Sequence, residues 1–228
     1  MKVFNEWETL EKIEEGWSIG RFADGELKYM CGKSHAYNSK NEQVRKELVN
    51  ILSSTHEGFL SCIPTIFEND LSHLASGRTS FKVLKNKFGA QIKEWLCADS
   101  YGSAFISRMD VIPELKCDEY FERWKGITRG KRVIGISGKH FSLKEYGDLF
   151  NVDKELKVSS KDAWEDIGVL DEVMDCDIVI LSCGFAATIF AHRLAGKVQA
   201  IDVGKLGRGY LDGSLSGYKE NKRGGFPW

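Results

Sequence analysis

Asp24-Gly25-Glu26 sets two carboxylates two residues apart, just past a short apolar run from Trp17 to Phe22. Hard divalent cations take oxygen ligands. Mg²⁺ and Mn²⁺ sites commonly draw one or two carboxylates from the protein and fill the remaining positions with substrate phosphates and water. Arg21, three residues earlier, adds a planar donor suited to a phosphate or a carboxylate. The same letters have a second reading, since Asp-Gly is a common turn dipeptide and both acids can cap a turn and the helix that follows. Spacing alone leaves both readings open.

The elements that would carry these residues follow from periodicity. Glu8–Glu15 reads as an amphipathic helix with Leu10 and Ile13 inward, ended by Gly16 before the Trp17–Phe22 strand. Leu27–Cys31 starts a helix, Gly32–Lys40 is a polar loop, and Asn41–Leu52 is a helix with Val44, Leu48, Ile51 and Leu52 on one face. Gly58–Ile63 reads as a buried strand stopped by Pro64, followed by helical stretches at Leu71–Ala75 and Phe81–Trp95. Gly102–Ser107 is a third strand candidate, with the corner Arg108-Met109-Asp110 after it and a helix over Glu119–Lys125.

Further along, Lys131–Ser137 is a strand ending in Gly138-Lys139-His140, and Leu156–Val158 a short one. Asp162–Met174 reads as a helix capped by Ser160. Asp177–Leu181 is a β-branched strand, Ala186–Leu194 a helix launched after Gly184, and Val198–Gly204 a last strand. Apolar strands alternating with helices imply an α/β fold: a Rossmann-like, mostly parallel sheet with helices on both faces. The chain reads as a single domain over 1–228, with 220–228 a surface tail.

Ligands in such folds sit beyond the carboxyl ends of the strands. Asp24, Glu26, Arg108, Asp110, Lys139, Gly184, Thr188 and Asp202 all fall at that rim. Arg21, Arg108 and Lys139 supply cations for a phosphate, and the helix after Gly184 supplies free amides, with Thr188 in its first turns. Gly184 has an equally good reading as the residue that permits a tight strand-to-helix turn. Trp164, near the start of a helix at the rim, can stack on a base or serve as core. His35, His56, His73, His140 and His192 show no metal-ligand spacing, and read as surface or hydrogen-bonded residues.

Taken together these segments resemble the glycosyltransferases of the GT-D fold, formerly a domain of unknown function, whose type member adds glucose to a glycan on a bacterial adhesin. Arg21–Leu27 resembles that family's R-F-G-D-G-E segment, Ser107-Arg108 its S-R corner, and Gly147–Phe150 the end of its G-N-D-L-F segment. Leu181–Ala191 resembles the strand-to-helix turn G-P-T-A-T-x-L-A, and Ala200–Gly204 the strand A-I-D-I-G. The resemblance implies an inverting transferase using a UDP-sugar, typically UDP-glucose, with Mn²⁺ or Mg²⁺ bridging the diphosphate to Asp24 and Glu26. It also implies a base for the acceptor hydroxyl, open between Asp202 and Asp212. The sequence departs from the family at Phe185 (where Pro is usual), at Lys205 (where His is usual), across Ser137–Ser142, and at Gly207 and Gly209, where acids are usual. Those positions would meet the acceptor and the base, so donor class is the firmer expectation.

Of 228 residues, 42% are hydrophobic and 29% charged, with a formal net charge of −1. No global field draws nucleic acid or an anionic membrane. The N-terminal stretch lacks the basic and apolar regions of an export signal, and no apolar run is long enough to span a bilayer. The six cysteines contain no C-x-x-C pair and read as reduced, mostly buried thiols of a cytoplasmic protein. The expected partners are a nucleotide-sugar donor and a glycan, glycopeptide or lipid-linked saccharide acceptor. The lysines of the tail and Arg223 can add weak peripheral membrane contact, and a homo-oligomer is compatible with the pattern. The competing functions are another Rossmann-type nucleotide user such as a methyltransferase, which would need a glycine-rich loop after the first strand, and a binding module that has lost the chemistry.

Overall fold

A computed structural model describes residues 1–35, 38–64, 67, 79–108 and 116–211. Asp110, Asp212, His73, the helical stretch at Leu71–Ala75 and the tail from 219 lie outside the described residues.

The described strands are β1 (Lys2–Val3), β2 (Ser18–Arg21), β3 (Phe59–Ile63), β4 (Ser100–Ser103), β5 (Val133–Gly138), β6 (Lys154–Val158), β7 (Ile178–Ser182) and β8 (Gln199–Asp202). They form one sheet in the order β1-β4-β3-β2-β8-β7-β5-β6, and every described pairing is parallel. Helices α1 (Glu6–Glu14), α2 (Asp24–Met30), α3 (Glu42–Ser53), α4 (Thr79–Trp95), α5 (Cys117–Thr128), α6 (Phe185–Leu194) and α7 (Leu206–Leu211) cover it.

The alternation along each strand explains both faces. On β7, Ile178 and Ile180 point into one core layer, while Val179 and Leu181 point into the other. The first layer holds Leu10, Ile13, Trp124 and Leu206 from α1, α5 and α7; the second holds Leu27, Leu48, Leu84 and Phe190 from α2, α3, α4 and α6. A strand buried on both sides must be apolar at every position, which is why the sequence shows runs rather than alternation.

Local chemistry fixes the helix starts. Asn5 and Glu8 cap α1 reciprocally, each side chain accepting the other's amide at 2.9 Å. Asn41 Oδ1 accepts the amides of Gln43 and Val44 to begin α3.

Two expected elements are corrected. The third strand ends at Ser103, because the Ser103 hydroxyl accepts the Phe105 amide and turns Ala104–Ser107 into a 3₁₀ helix. The helix expected over Asp162–Met174 is two 3₁₀ segments, Ala163–Glu165 and Ile167–Val173. Asp162 sits in the left-handed region at φ 52° with its carboxylate accepting the amide and hydroxyl of Ser39, and the Ser159 amide is capped by Asp166, so Ser160 caps nothing there. β1, α7 and a 3₁₀ stretch over Leu143–Leu149 were not expected at all. The first is a two-residue edge strand, and the other two are short and glycine-containing.

Candidate active site at the seam of the sheet

The sheet is built from two halves. Strands β1 to β4 come from the first part of the chain and β5 to β8 from the second; the halves meet at β2 and β8. An open parallel sheet offers its crevice at such a switch point, outside the carboxyl ends of the strands. β2 ends in Arg21 and β8 in Asp202, so the seam closes on these two residues.

Arg21 Nη2 lies 3.1 Å from Asp202 Oδ1, its Nε donates to the Asp202 carbonyl at 3.1 Å, and its backbone amide donates to Asp202 Oδ2 at 3.1 Å. Arg21 Nη1 donates to the Ser107 hydroxyl at 2.5 Å, tying in the corner beyond β4. Asp202 Oδ1 also accepts the Gly204 amide at 3.0 Å, and the Gly204 carbonyl accepts the Ser182 hydroxyl at 2.7 Å. Gly204 has φ +48°, and a Cβ there would stand 1.8 Å from Arg21 Nη2. A flat guanidinium laid against a bare backbone requires glycine at that point. The Asp202 and Arg21 side chains are only 4% and 15% exposed, so this is a buried, fully bonded pair rather than a surface bridge.

The D-x-E residues follow β2 directly and form the first turn of α2. Glu26 Oε2 accepts the Ala23 amide at 3.0 Å, the reach-back of a capping box without its Ser partner. Burial pushes the Glu26 carboxyl up to about 7, against the opposing pull of its hydrogen bond and of Arg21. Asp24 pairs with Lys28 at 2.7 Å, one turn on and half exposed. The capping reading is seen directly in the Glu26 reach-back, and the same turn holds the two carboxylates side by side at the rim.

His35 lies over this turn. Its Nε2 would be 3.5 Å from a Cβ at Gly25, and its ring sits 4.5 Å from that of Phe185, which in turn packs 4.9 Å from Tyr29. Burial lowers the His35 imidazole, with Asp24 pulling the other way. The aromatic Phe185, standing where the resembling family has Pro, thus forms one wall of the D-x-E turn.

The remaining expected residues are placed as follows. Gly184 has φ 63° and ψ −139° before the first turn of α6, a backbone that favours glycine, and it is exposed at the rim. Thr188 is buried inside the helix–sheet contact: its hydroxyl donates to the Arg21 carbonyl at 3.0 Å, and its Cγ2 fills the space a Cβ at Gly20 would need. Its hydroxyl is thereby committed to β2. Arg108 closes the Ala104–Ser107 turn with its amide on the Phe105 carbonyl at 2.7 Å, next to Ser107 in the clasp. Lys139 is exposed in the turn after β5. Trp164 packs against the core, as its apolar alternative had it. Burial raises the Cys62 and Cys183 thiols and pushes Cys31 up to about 11, which leaves none of the three activated as a nucleophile. Sequence reasoning missed Ser107, Gly204 and His35 as members of this site. Ser107 and Gly204 fall in the Ser107-Arg108 and Ala200–Gly204 segments on which the family resemblance rests, which was the signal for them, and His35 had none.

Glycosyltransferase GlyD of Streptococcus pneumoniae serotype 4 is 25% identical over 216 residues, covering 89% of this chain and 26% of the relative. A probable glycosyl transferase, Gly, of Streptococcus gordonii is 22% identical over 209 residues, covering 87% and 31%. The chain thus spans under a third of the length of these relatives. Among solved structures, one showing that the highly conserved domain of unknown function 1792 has a distinct glycosyltransferase fold matches with TM-score 0.79 and 27% identity, over 95% of this chain and 82% of the other. A glycosyltransferase of the same domain family from Streptococcus sanguinis matches with TM-score 0.83 at 22% identity, a likeness of fold. The family described as glycosyltransferase GT-D fold matches residues 19–213, which take in Arg21, the D-x-E turn and Asp202. With the match extending over most of its length, the chain belongs to the GT-D fold family of glycosyltransferases.

Proposed function

We propose that the chain transfers a hexose, glucose in the first instance, from a UDP-sugar to a glycan or glycoprotein acceptor of the bacterial surface, with inversion at the anomeric carbon. The observation that carries this is the placement of Asp24 and Glu26 together in the first turn after β2, beside the seam where a parallel sheet takes its ligand.

The residues fit a divalent ion. Two carboxylates stand at the rim, and the Glu26 carboxyl is desolvated with a backbone amide as its hydrogen-bond donor, a setting that a cation relieves. Among the described residues no third acidic, His or Cys side chain joins them, which suits Mg²⁺ or Mn²⁺ completed by diphosphate oxygens and water. When bound, such an ion supplies charge stabilisation to the departing nucleoside diphosphate. Arg108, Lys139 and the amides after Gly184 are assigned to the phosphates. The Arg21–Asp202 clasp orients the D-x-E turn and holds the two halves of the sheet together. Asp202 has both carboxylate oxygens engaged by Arg21 and Gly204, which favours Asp212 over Asp202 as the base that takes the acceptor proton.

The test is thermal unfolding with UDP and Mn²⁺, alongside a donor screen that measures UDP release. Stabilisation that chelator or Asp24→Ala removes, together with turnover of one UDP-sugar, is the expected result. Stabilisation by S-adenosylmethionine alone would overturn the reading.

A further inference from the structure

A second cluster lies at the opposite ends of the strands from the seam site. His56 precedes β3, and His192 belongs to the last turn of α6, so both stand at the amino-terminal ends of the strands. Their Nε2 atoms are 3.0 Å apart, and the rings meet at 73° with centroids 4.2 Å apart. Two ligands that sit about 2.1 Å from a metal at right angles are themselves about 3.0 Å apart. The two imidazoles therefore already converge as a pair of cis ligands would.

The surroundings suit a cation. Phe59 walls the pair on one side, its ring 5.2 Å from His192 and 6.1 Å from His56. Glu47 of α3 faces His192, and the adjacent Arg193 is neutralised by that same carboxylate at 2.8 Å. Both rings are half-buried, so one side is backed by protein and the other is open to water.

We propose that His56 and His192 form a bis-imidazole site for a borderline divalent cation of the Ni²⁺ or Cu²⁺ class, whose ligands take right angles. Imidazole pairs select these ions over Mg²⁺, whose chemistry belongs with the carboxylates of the seam. Among the described residues no third His, Cys, Asp or Glu completes a cage, so water fills the remaining positions and the site is an exchangeable one. Its occupant would join the start of β3 to the end of α6, and bound metal would stabilise the fold by mass action.

The alternative is a neutral N–H···N hydrogen bond between the rings, and titration separates the two. The full chain carrying Asp24→Asn and Glu26→Gln is titrated with NiCl₂ by calorimetry, so that the other candidate cation site is silent. One-to-one binding that weakens by more than about tenfold in His56→Gln and in His192→Gln is the expected result. Unfolding scans in EDTA establish that the two His variants are folded. Should either fail to fold, Co²⁺ added to the Asp24→Asn, Glu26→Gln chain with both histidines intact gives the answer: d–d bands shifted from those of aqueous Co²⁺, without thiolate charge transfer, support imidazole and water ligation. No uptake, thiolate bands, or binding untouched by both His substitutions would overturn the proposal.

Discussion

At the scale of single residues, the decisive question is what Asp202 does. The sequence leaves the base open between Asp202 and Asp212 and says nothing of a structural role for Asp202. Its carboxylate is bonded to Arg21 and to the Gly204 amide, and the two roles predict different responses to mutation. Removing the charge from one member of a buried pair leaves the other uncompensated, at a cost of about 3 kcal/mol. Asp202→Asn should therefore lower stability by that order, measured by urea unfolding. A purely catalytic base would instead lose turnover with its unfolding midpoint intact. Gly204→Ala tests the same clasp from the other side. A Cβ would collide with the Arg21 guanidinium, and φ +48° is a left-handed backbone that a side chain resists. The guanidinium can move away only by giving up Asp202 and Ser107, so the expected loss is about 2 to 4 kcal/mol. An unchanged midpoint would mean that Arg21 is not held as described. The D-x-E pair was legible because its chemistry is written in adjacent letters. The clasp was not, because Arg21, Ser107, Asp202 and Gly204 are brought together only by the order of the strands.

At the scale of elements, the strands and most helices were legible from apolar runs and caps, while the two misassigned segments failed for a shared reason. Short polar side chains took backbone partners that a periodic reading cannot see. Ser103 diverted a strand into a 3₁₀ turn, and Asp162 turned aside to Ser39 instead of continuing a helix. Glu155 is the fullest example. It stands on β6, only 7% exposed, and accepts from the Ser137 hydroxyl at 2.6 Å, the Ser142 hydroxyl at 2.6 Å, the Leu143 amide at 2.7 Å and Lys157 at 2.9 Å. One carboxylate thereby closes the loop between β5 and the Leu143–Leu149 turn. Burial alone would raise its pKa, but these four donors outweigh burial and bring it down to about 2 from 4.5. A carboxyl depressed by folding contributes stability above its unfolded pKa and loses it as pH falls through the folded value. The shift corresponds to roughly 3 kcal/mol, present above pH 4.5 and withdrawn between there and pH 2. Unfolding measured from pH 6 down to pH 2 should show this slope in the parent chain, and Glu155→Gln should flatten it while lowering stability at pH 6. Parallel curves for the two proteins would assign the acid dependence to other groups.

At the scale of the whole molecule, the two halves of the sheet are joined unequally. β5 and β7 pair through five registered positions, from Val133 with Ile178 to Ser137 with Ser182, whereas β2 and β8 meet at Ile19 with Ile201. Side chains supply what the ladder lacks. The Ala200 amide donates to the Ser18 hydroxyl at 2.9 Å at one end of the seam, and the Arg21 amide donates to Asp202 Oδ2 at 3.1 Å at the other. α6 lies across both strands, with Thr188 bonded to the Arg21 carbonyl. A seam stitched by a few side chains opens more readily than a continuous ladder, and local opening of this kind is what native-state hydrogen exchange reports. The candidate ligands straddle it: the carboxylates belong to the β2 half, and the amides of α6 belong to the β8 half. A nucleotide-sugar held by both would therefore bind the closed seam and not the open one. Addition of UDP and Mn²⁺ should slow exchange at the amides of β2 and β8 by about tenfold for each 1.4 kcal/mol of binding, and leave the β5–β6 pairing nearly as it was. Arg21→Ala should speed exchange at the same amides without ligand. If ligand instead protected all strands equally, or only those of one half, the donor would not bridge the seam, and the division of labour between carboxylates and helix amides would fall with it.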